Sequence, residues 1–183
     1  MGVVCATPTA GSSGVLPGVL LAAKEKFGLS DDEVIKYLFT AGAFGYIIAN
    51  NAFISGAAGG CQAEIGSASA MAAAAVAEMA GGTPVQAAHA MAMALKNMLG
   101  LACDPLAGLV EVPCIKRNAA GASNALIAED MALAGVESKV PWDEVISAMY
   151  QIGLSMPASL RETSTGGLAA TETGKLWKKL LLK

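Results

Sequence analysis

The chain has 183 residues, 54% of them hydrophobic, 15% charged and 5% aromatic, with a mean hydropathy of +0.52. This composition excludes a disordered chain, and a single domain of this length buries roughly 70% of the surface its unfolded form exposes, so disulfides are not needed to hold a core. The formal net charge of −3, with a basic cluster only at Lys175, Lys178, Lys179 and Lys183, excludes a nucleic-acid footprint.

Alanine is the commonest residue, with 37 copies. Strand-type alternation is missing, so the sequence predicts an all-α fold, one compact multi-helix domain over 1–183 with a core rich in small residues. In chain order, Met1-Gly2-Val3-Val4-Cys5 lacks a charged start followed by an apolar run. No secretory signal is read, and the expected compartment is the cytoplasm, where thiols stay reduced. Thr7-Pro8-Thr9-Ala10-Gly11-Ser12-Ser13-Gly14 is a small-residue loop ahead of an apolar helix starting near Val15. Ser30-Asp31-Asp32-Glu33 has capping-box spacing and predicts a helix from about Asp31 into the Ala49 region, with Val34, Ile35, Leu38 and Phe39 facing inward. Ile65 to Ala80 reads as an Ala-rich helix closed by Gly81-Gly82. Thr83-Pro84-Val85-Gln86 combines an N-cap, a proline at the first helical position and Gln three residues after the cap, opening a helix expected to stop at Gly100. Further helices are expected from about Ile115 to Leu133, from Trp142 to about Leu154 and from Gly174 to Leu181. Between Ala41 and Leu95 the only charged side chains are Glu64 and Glu78, but Asn50-Asn51 and Gly59-Gly60 interrupt that stretch, so no membrane span is expected.

Two groups of residues carry chemistry. The Thr7 to Gly14 loop has two readings, an ordinary Ser-capped turn or a cradle that offers N–H groups and hydroxyls to a small carboxylate at a helix start. No Gly-Lys-Ser/Thr follows it, so it is not a nucleotide loop. Cys61, Cys103 and Cys114 all fall at expected helix ends or turns, where thiolates form readily and bind metal. On the residues alone, three alternatives stand. They are buried free cysteines; a zinc site, for which one histidine and the absence of Cys-x2-Cys are a poor supply; or three thiolate ligands that leave one iron of a cubane open as a Lewis acid.

Three ordered motifs then matter together. They are Pro8-Thr9-Ala10-Gly11-Ser12-Ser13-Gly14; Gly59-Gly60-Cys61-Gln62-Ala63-Glu64-Ile65-Gly66-Ser67-Ala68; and Cys103-Asp104-Pro105-Leu106-Ala107-Gly108-Leu109-Val110-Glu111-Val112-Pro113-Cys114-Ile115-Lys116-Arg117-Asn118. With 41 residues between the first two cysteines and 10 between the second and third, the chain resembles the iron-sulfur-dependent bacterial L-serine dehydratases over nearly its whole length. The resemblance implies an all-helical catalytic domain with a 4Fe-4S cluster, converting L-serine to pyruvate and ammonia without pyridoxal phosphate. It implies that Cys61, Cys103 and Cys114 are the cluster ligands and that the Thr7 to Gly14 loop, with Thr9, Gly11, Ser12, Ser13 and Gly14, belongs to the substrate pocket; Asn118 is a further candidate substrate contact. Cys5 is read as incidental. Lys96-Asn97-Met98 is similar to the two-chain members of that family, so a separate β chain and a homo-oligomer are expected partners. An upstream helical segment is missing, and the chain is expected to be a truncated α chain.

No catalytic base is assigned; Glu64, in an apolar stretch three residues after Cys61, is the one candidate. His89, alone on an Ala-rich helix, is expected to be structural, and Met71, Met79, Met91 and Met93 to fill the core. Arg117 and Asn118 are expected either to bind a carboxylate or the cluster surroundings or to be solvated, and Asn50-Asn51 to bind ligand or satisfy a helix break. The competing class is a helical assembly subunit whose small-residue faces serve only for packing.

Overall fold

The computed structural model describes residues 3–182. Met1, Gly2 and Lys183, which entered the readings of the N-terminus and the basic cluster, lie outside them. The described residues form eight α-helices joined by turns, and no strand occurs among them. They are α1 (Val15–Phe27), α2 (Asp31–Asn51), α3 (Gly56–Gly59), α4 (Ser67–Met79), α5 (Pro84–Lys96), α6 (Cys114–Leu133), α7 (Trp142–Ser155) and α8 (Glu172–Leu181).

The fold is built around α4, which α1, α2, α5 and α6 surround. A helix without a polar face has to be covered on all sides, and Ala68, Ala70, Ala72, Ala73, Ala74, Ala75 and Ala77 are all fully buried. Their small side chains let the neighbouring backbones approach closely enough for polar rivets. Ser69 donates to the Gly121 carbonyl of α6 at 2.8 Å, while Asn124 of α6 donates to Ser69 Oγ and to the Ala94 carbonyl of α5. Met71, Met91 and Met93 are buried in this core.

Both capping boxes form, with Ser30 and Glu33 opening α2 and Thr83 and Gln86 opening α5. The inward face of α2 differs from the expected one. Tyr37, Ala41, Gly45 and Ile48 are buried, whereas Ile35, Leu38 and Phe39 are 50%, 49% and 76% exposed. The reason is close approach to α4. A Cβ on Gly45 would lie 2.6 Å from Met71 Cε, so only the small-residue face fits there, and Tyr37 on that face donates its hydroxyl to the Leu16 carbonyl. Helix α5 stops at Lys96, short of Gly100, because residues 97–100 turn back with Gly100 at φ +83°. His89 Nδ1 accepts the Ser138 N–H at 3.2 Å, and its ring lies edge-on to Trp142. The side-chain amides of Asn50 and Asn51 donate to the Tyr46 and Ile47 carbonyls within α2. Among the described residues no helix is long and apolar enough to cross a membrane.

Candidate active site

Four chain segments meet around Cys61. The first passes from α3 into Cys61. Ser55 caps α3 by accepting the Ala58 N–H, and Gly60 then turns the chain at φ +78°. Residues Gln62–Gly66 follow as a single π-helical turn rather than the α-helix the sequence predicts from Ile65. Such a turn carries an extra residue per hydrogen bond and is common at functional sites. Gln62, fully buried, locks it. Its amide donates to the Gly59 and Met149 carbonyls and its oxygen accepts the Gly100 N–H.

The second segment is extended at Cys103, whose N–H donates to the Leu160 carbonyl and whose carbonyl accepts the Glu162 N–H, a single parallel bridge that pins the 160–162 turn beside the site. The third is the start of α6 at Cys114. The fourth is the Thr7 to Gly14 loop, tied to α6 by Asn118. Asn118 Oδ1 accepts the Gly14 N–H at 2.9 Å, and its amide donates to the Gly11 and Cys114 carbonyls at 2.7 and 2.9 Å.

One sulfur from each of Cys61 and Cys103 and a carboxylate oxygen of Glu64 lie within 4.8 Å of one another. The backbone is packed to allow this, since a Cβ on Gly56 would sit 2.7 Å from Cys103 Sγ and 2.9 Å from Glu64 Oε2, and one on Gly11 would sit 3.2 Å from the same oxygen. Cys114 is buried beside this trio without being a member of it, close enough for the Cys61 and Glu64 charges to act on its thiol. Cys5 is exposed.

The electrostatics divide the thiols. Donation from the facing Cys103 thiol, aided by the charge and N–H groups of Arg117, holds Cys61 below its ordinary value against burial. Cys103, as that donor and as a buried group, is pushed up; burial raises Cys114 to about 11. Burial also raises Glu64, reinforced by Glu162 and opposed by the Thr9 hydroxyl and the Gly56 N–H that face it. Arg117 Nη1 donates to Cys61 Sγ at 3.4 Å and to the Ala102 carbonyl at 2.7 Å, while Nη2 lies 3.0 Å from Asp104 Oδ1.

The loop is more self-contained than an open anion cradle. Ser12 is fully buried, accepting the Thr9 N–H and pairing with the Thr9 hydroxyl at 3.0 Å. Ser13 N–H and Oγ both donate to the Ala10 carbonyl, and the Gly14 N–H is taken by Asn118. Thr9 and Gly11 are the loop members that border Glu64. The structure thus gathers Thr9, Gly11, Cys61, Glu64, Cys103, Cys114, Arg117 and Asn118; Asn50, Asn51 and His89 serve other parts of the fold. Gln62 and Asp104, which organise the site, were not singled out in the sequence. Both stand inside the cysteine motifs, which was their one available signal.

The sequence pattern of the family described as "Serine dehydratase alpha chain" matches residues 1–169. The chain belongs to this family. It is 70% identical over 179 residues to the "Probable L-serine dehydratase, alpha chain" of Bacillus subtilis, covering 98% of this chain and 60% of that protein. It is 62% identical to the protein of the same description in Latilactobacillus sakei, covering 95% of this chain and 83% of that one. Against the "L-serine dehydratase, alpha chain" of Peptoniphilus asaccharolyticus the identity is 53% over 183 residues, covering 63% of that protein. The chain therefore spans about 60% of the length of two of these relatives.

Proposed function

We propose that the chain is the catalytic α-chain domain of an L-serine dehydratase, an L-serine ammonia-lyase that forms pyruvate and ammonia in the cytoplasm together with a separate β chain, within a homo-oligomer. The observation that carries this reading is the convergence of Cys61, Cys103 and Glu64 within 4.8 Å, with Cys114 and the Thr9 loop beside them. The printed names of the relatives, L-serine dehydratase and its alpha chain, support the substrate and the partner chain.

The donor set fits a 4Fe-4S cluster held by Cys61, Cys103 and Cys114. Soft, buried thiols from three separate segments suit iron-sulfur ligation, whereas structural zinc sites are typically completed by a fourth cysteine or a histidine, and the further donor gathered here is the Glu64 carboxylate. When bound, the cluster supplies a Lewis acid that assists departure of a hydroxyl group.

The chain's own residues do the rest. Asn118 holds the Gly11–Gly14 backbone against α6, so the Thr9 hydroxyl stays beside Glu64. Thr9, Gly11, Ser13 and Gly14 form the wall that receives serine, and Ser12 shapes that wall from inside. Glu64 Oε2, set between Gly11 and Gly56, is the group placed to hold or move a proton during loss of water. The enamine left by that loss tautomerises and hydrolyses without help from the protein.

The test follows pyruvate from L-serine, with no added pyridoxal phosphate, in the complete enzyme reconstituted anaerobically. Glu64→Gln is expected to keep the visible absorption of the cluster and to lower kcat by about 10²- to 10⁴-fold, the range for loss of a general acid or base. Full-rate turnover by iron-free protein contradicts the reading.

A further inference from the structure

Arg117 sits three residues after Cys114, so the first turn of α6 carries its guanidinium across the site toward Cys61. It donates to Cys61 Sγ and to the Ala102 carbonyl and pairs with Asp104. The Arg117 and Asp104 side chains are 18% and 6% exposed. The second Asp104 oxygen accepts the Leu168 N–H at 2.7 Å, which anchors the carboxylate from the far side. Replacing a buried ion pair with apolar groups of similar volume is often neutral or stabilising, so stability alone is a weak reason for this one. Its position against a sulfur ligand gives a better reason.

We infer that Arg117, held in place by Asp104, is a positioning residue that withdraws electron density from the Cys61 sulfur and thereby sets the reduction potential of the iron-sulfur cluster. This rests on the cluster reading given above. A positive N–H donor on a ligand sulfur stabilises the electron-richer form and raises the potential. The Asp104 carboxylate offsets part of that positive charge and acts in the opposite sense. The two residues thus have opposite electrical signs on one sulfur, which a mere brace between segments does not have.

The experiment is a reductive titration of the complete enzyme, reconstituted anaerobically with ferrous iron and sulfide and followed by the electron paramagnetic resonance of the reduced cluster. Arg117→Gln is expected to shift the potential negative and to bleach several-fold faster in air. Arg117→Lys, which keeps the charge and loses the planar fork, is expected to shift it less. Asp104→Asn, which keeps an oxygen for the Leu168 N–H, is expected to shift it positive. If Arg117→Gln does not fold, as judged by helical circular dichroism, the comparison of Arg117→Lys with Asp104→Asn decides. A wild type that assembles no cluster overturns the cluster reading and this inference with it. A wild-type cluster whose potential is unchanged in the variants, or moves the same way for both residues, overturns the inference alone.

Discussion

Asn118 joins two segments far apart in sequence with two hydrogen bonds, so its truncation leaves the Gly14 N–H and the Gly11 carbonyl without partners. Asn118→Ala is expected to raise KM for serine about 5- to 150-fold, the equivalent of about 1 to 3 kcal/mol for unmade hydrogen bonds, while the helical circular dichroism stays. An unchanged KM contradicts the clamp. Glu129 offers a test away from the site. It is buried on α6, and burial followed by the Asp130 charge pushes its carboxyl above the ordinary value of 4.5, with Lys26 opposing. The unfolded chain therefore releases this proton first as pH rises through 4.5, and the folded state loses stability until the raised folded pKa is passed. Glu129→Gln removes that penalty, so its Tm should exceed that of the wild type at neutral pH and not below the carboxylate range; an equal gain at both contradicts the assignment. Cys61, Cys103 and Glu64 stood out in the sequence because their chemistry is rare in an Ala-rich chain. Asp104 did not, because its meaning depends on Leu168, 64 positions away, and on a side chain crossing from α6.

Helix boundaries set by local chemistry were readable, since Ser30 with Glu33 and Thr83 with Gln86 each satisfy N–H groups within one turn. Thr83→Ala is expected to cost about 1 kcal/mol in urea unfolding, and no loss contradicts the cap. The π-turn Gln62–Gly66 was not readable. It is imposed by Gln62 reaching Met149 and by Gly100 donating back to Gln62, contacts no local pattern encodes. The outward turn of Ile35, Leu38 and Phe39 has the same origin, because periodicity alone did not distinguish them from the Tyr37, Ala41, Gly45 face that fits against Met71. Helix α3 is short, yet its first residue decides how close Cys103 and Glu64 come. Gly56→Ala is expected to abolish cluster assembly with the helical spectrum preserved, since the added Cβ collides with both groups. Retention of a full cluster in that variant contradicts the packing described.

The all-α architecture followed from alanine content and caps together, because a central, Ala-rich α4 is buried only if other helices wrap it. What surrounds the bundle did not follow. Apolar side chains Ile35, Leu38 and Phe39 remain exposed along α2, with Phe39 at 76%, and exposed apolar patches mark surfaces that associate. The isolated chain is expected to self-associate as concentration rises in sizing experiments, and Phe39→Lys to reduce that association; a monomer at every concentration contradicts it. The proposal that Cys61, Cys103 and Cys114 together hold one cluster is tested most directly by the iron and sulfide content of anaerobically reconstituted enzyme, compared across single cysteine variants. Cys61→Ser, Cys103→Ser and Cys114→Ser should each lose the cluster, whereas Cys5→Ser, altering an exposed thiol, should keep the wild-type content. Full iron and sulfide in any of the first three, or their loss in Cys5→Ser, would contradict the assignment.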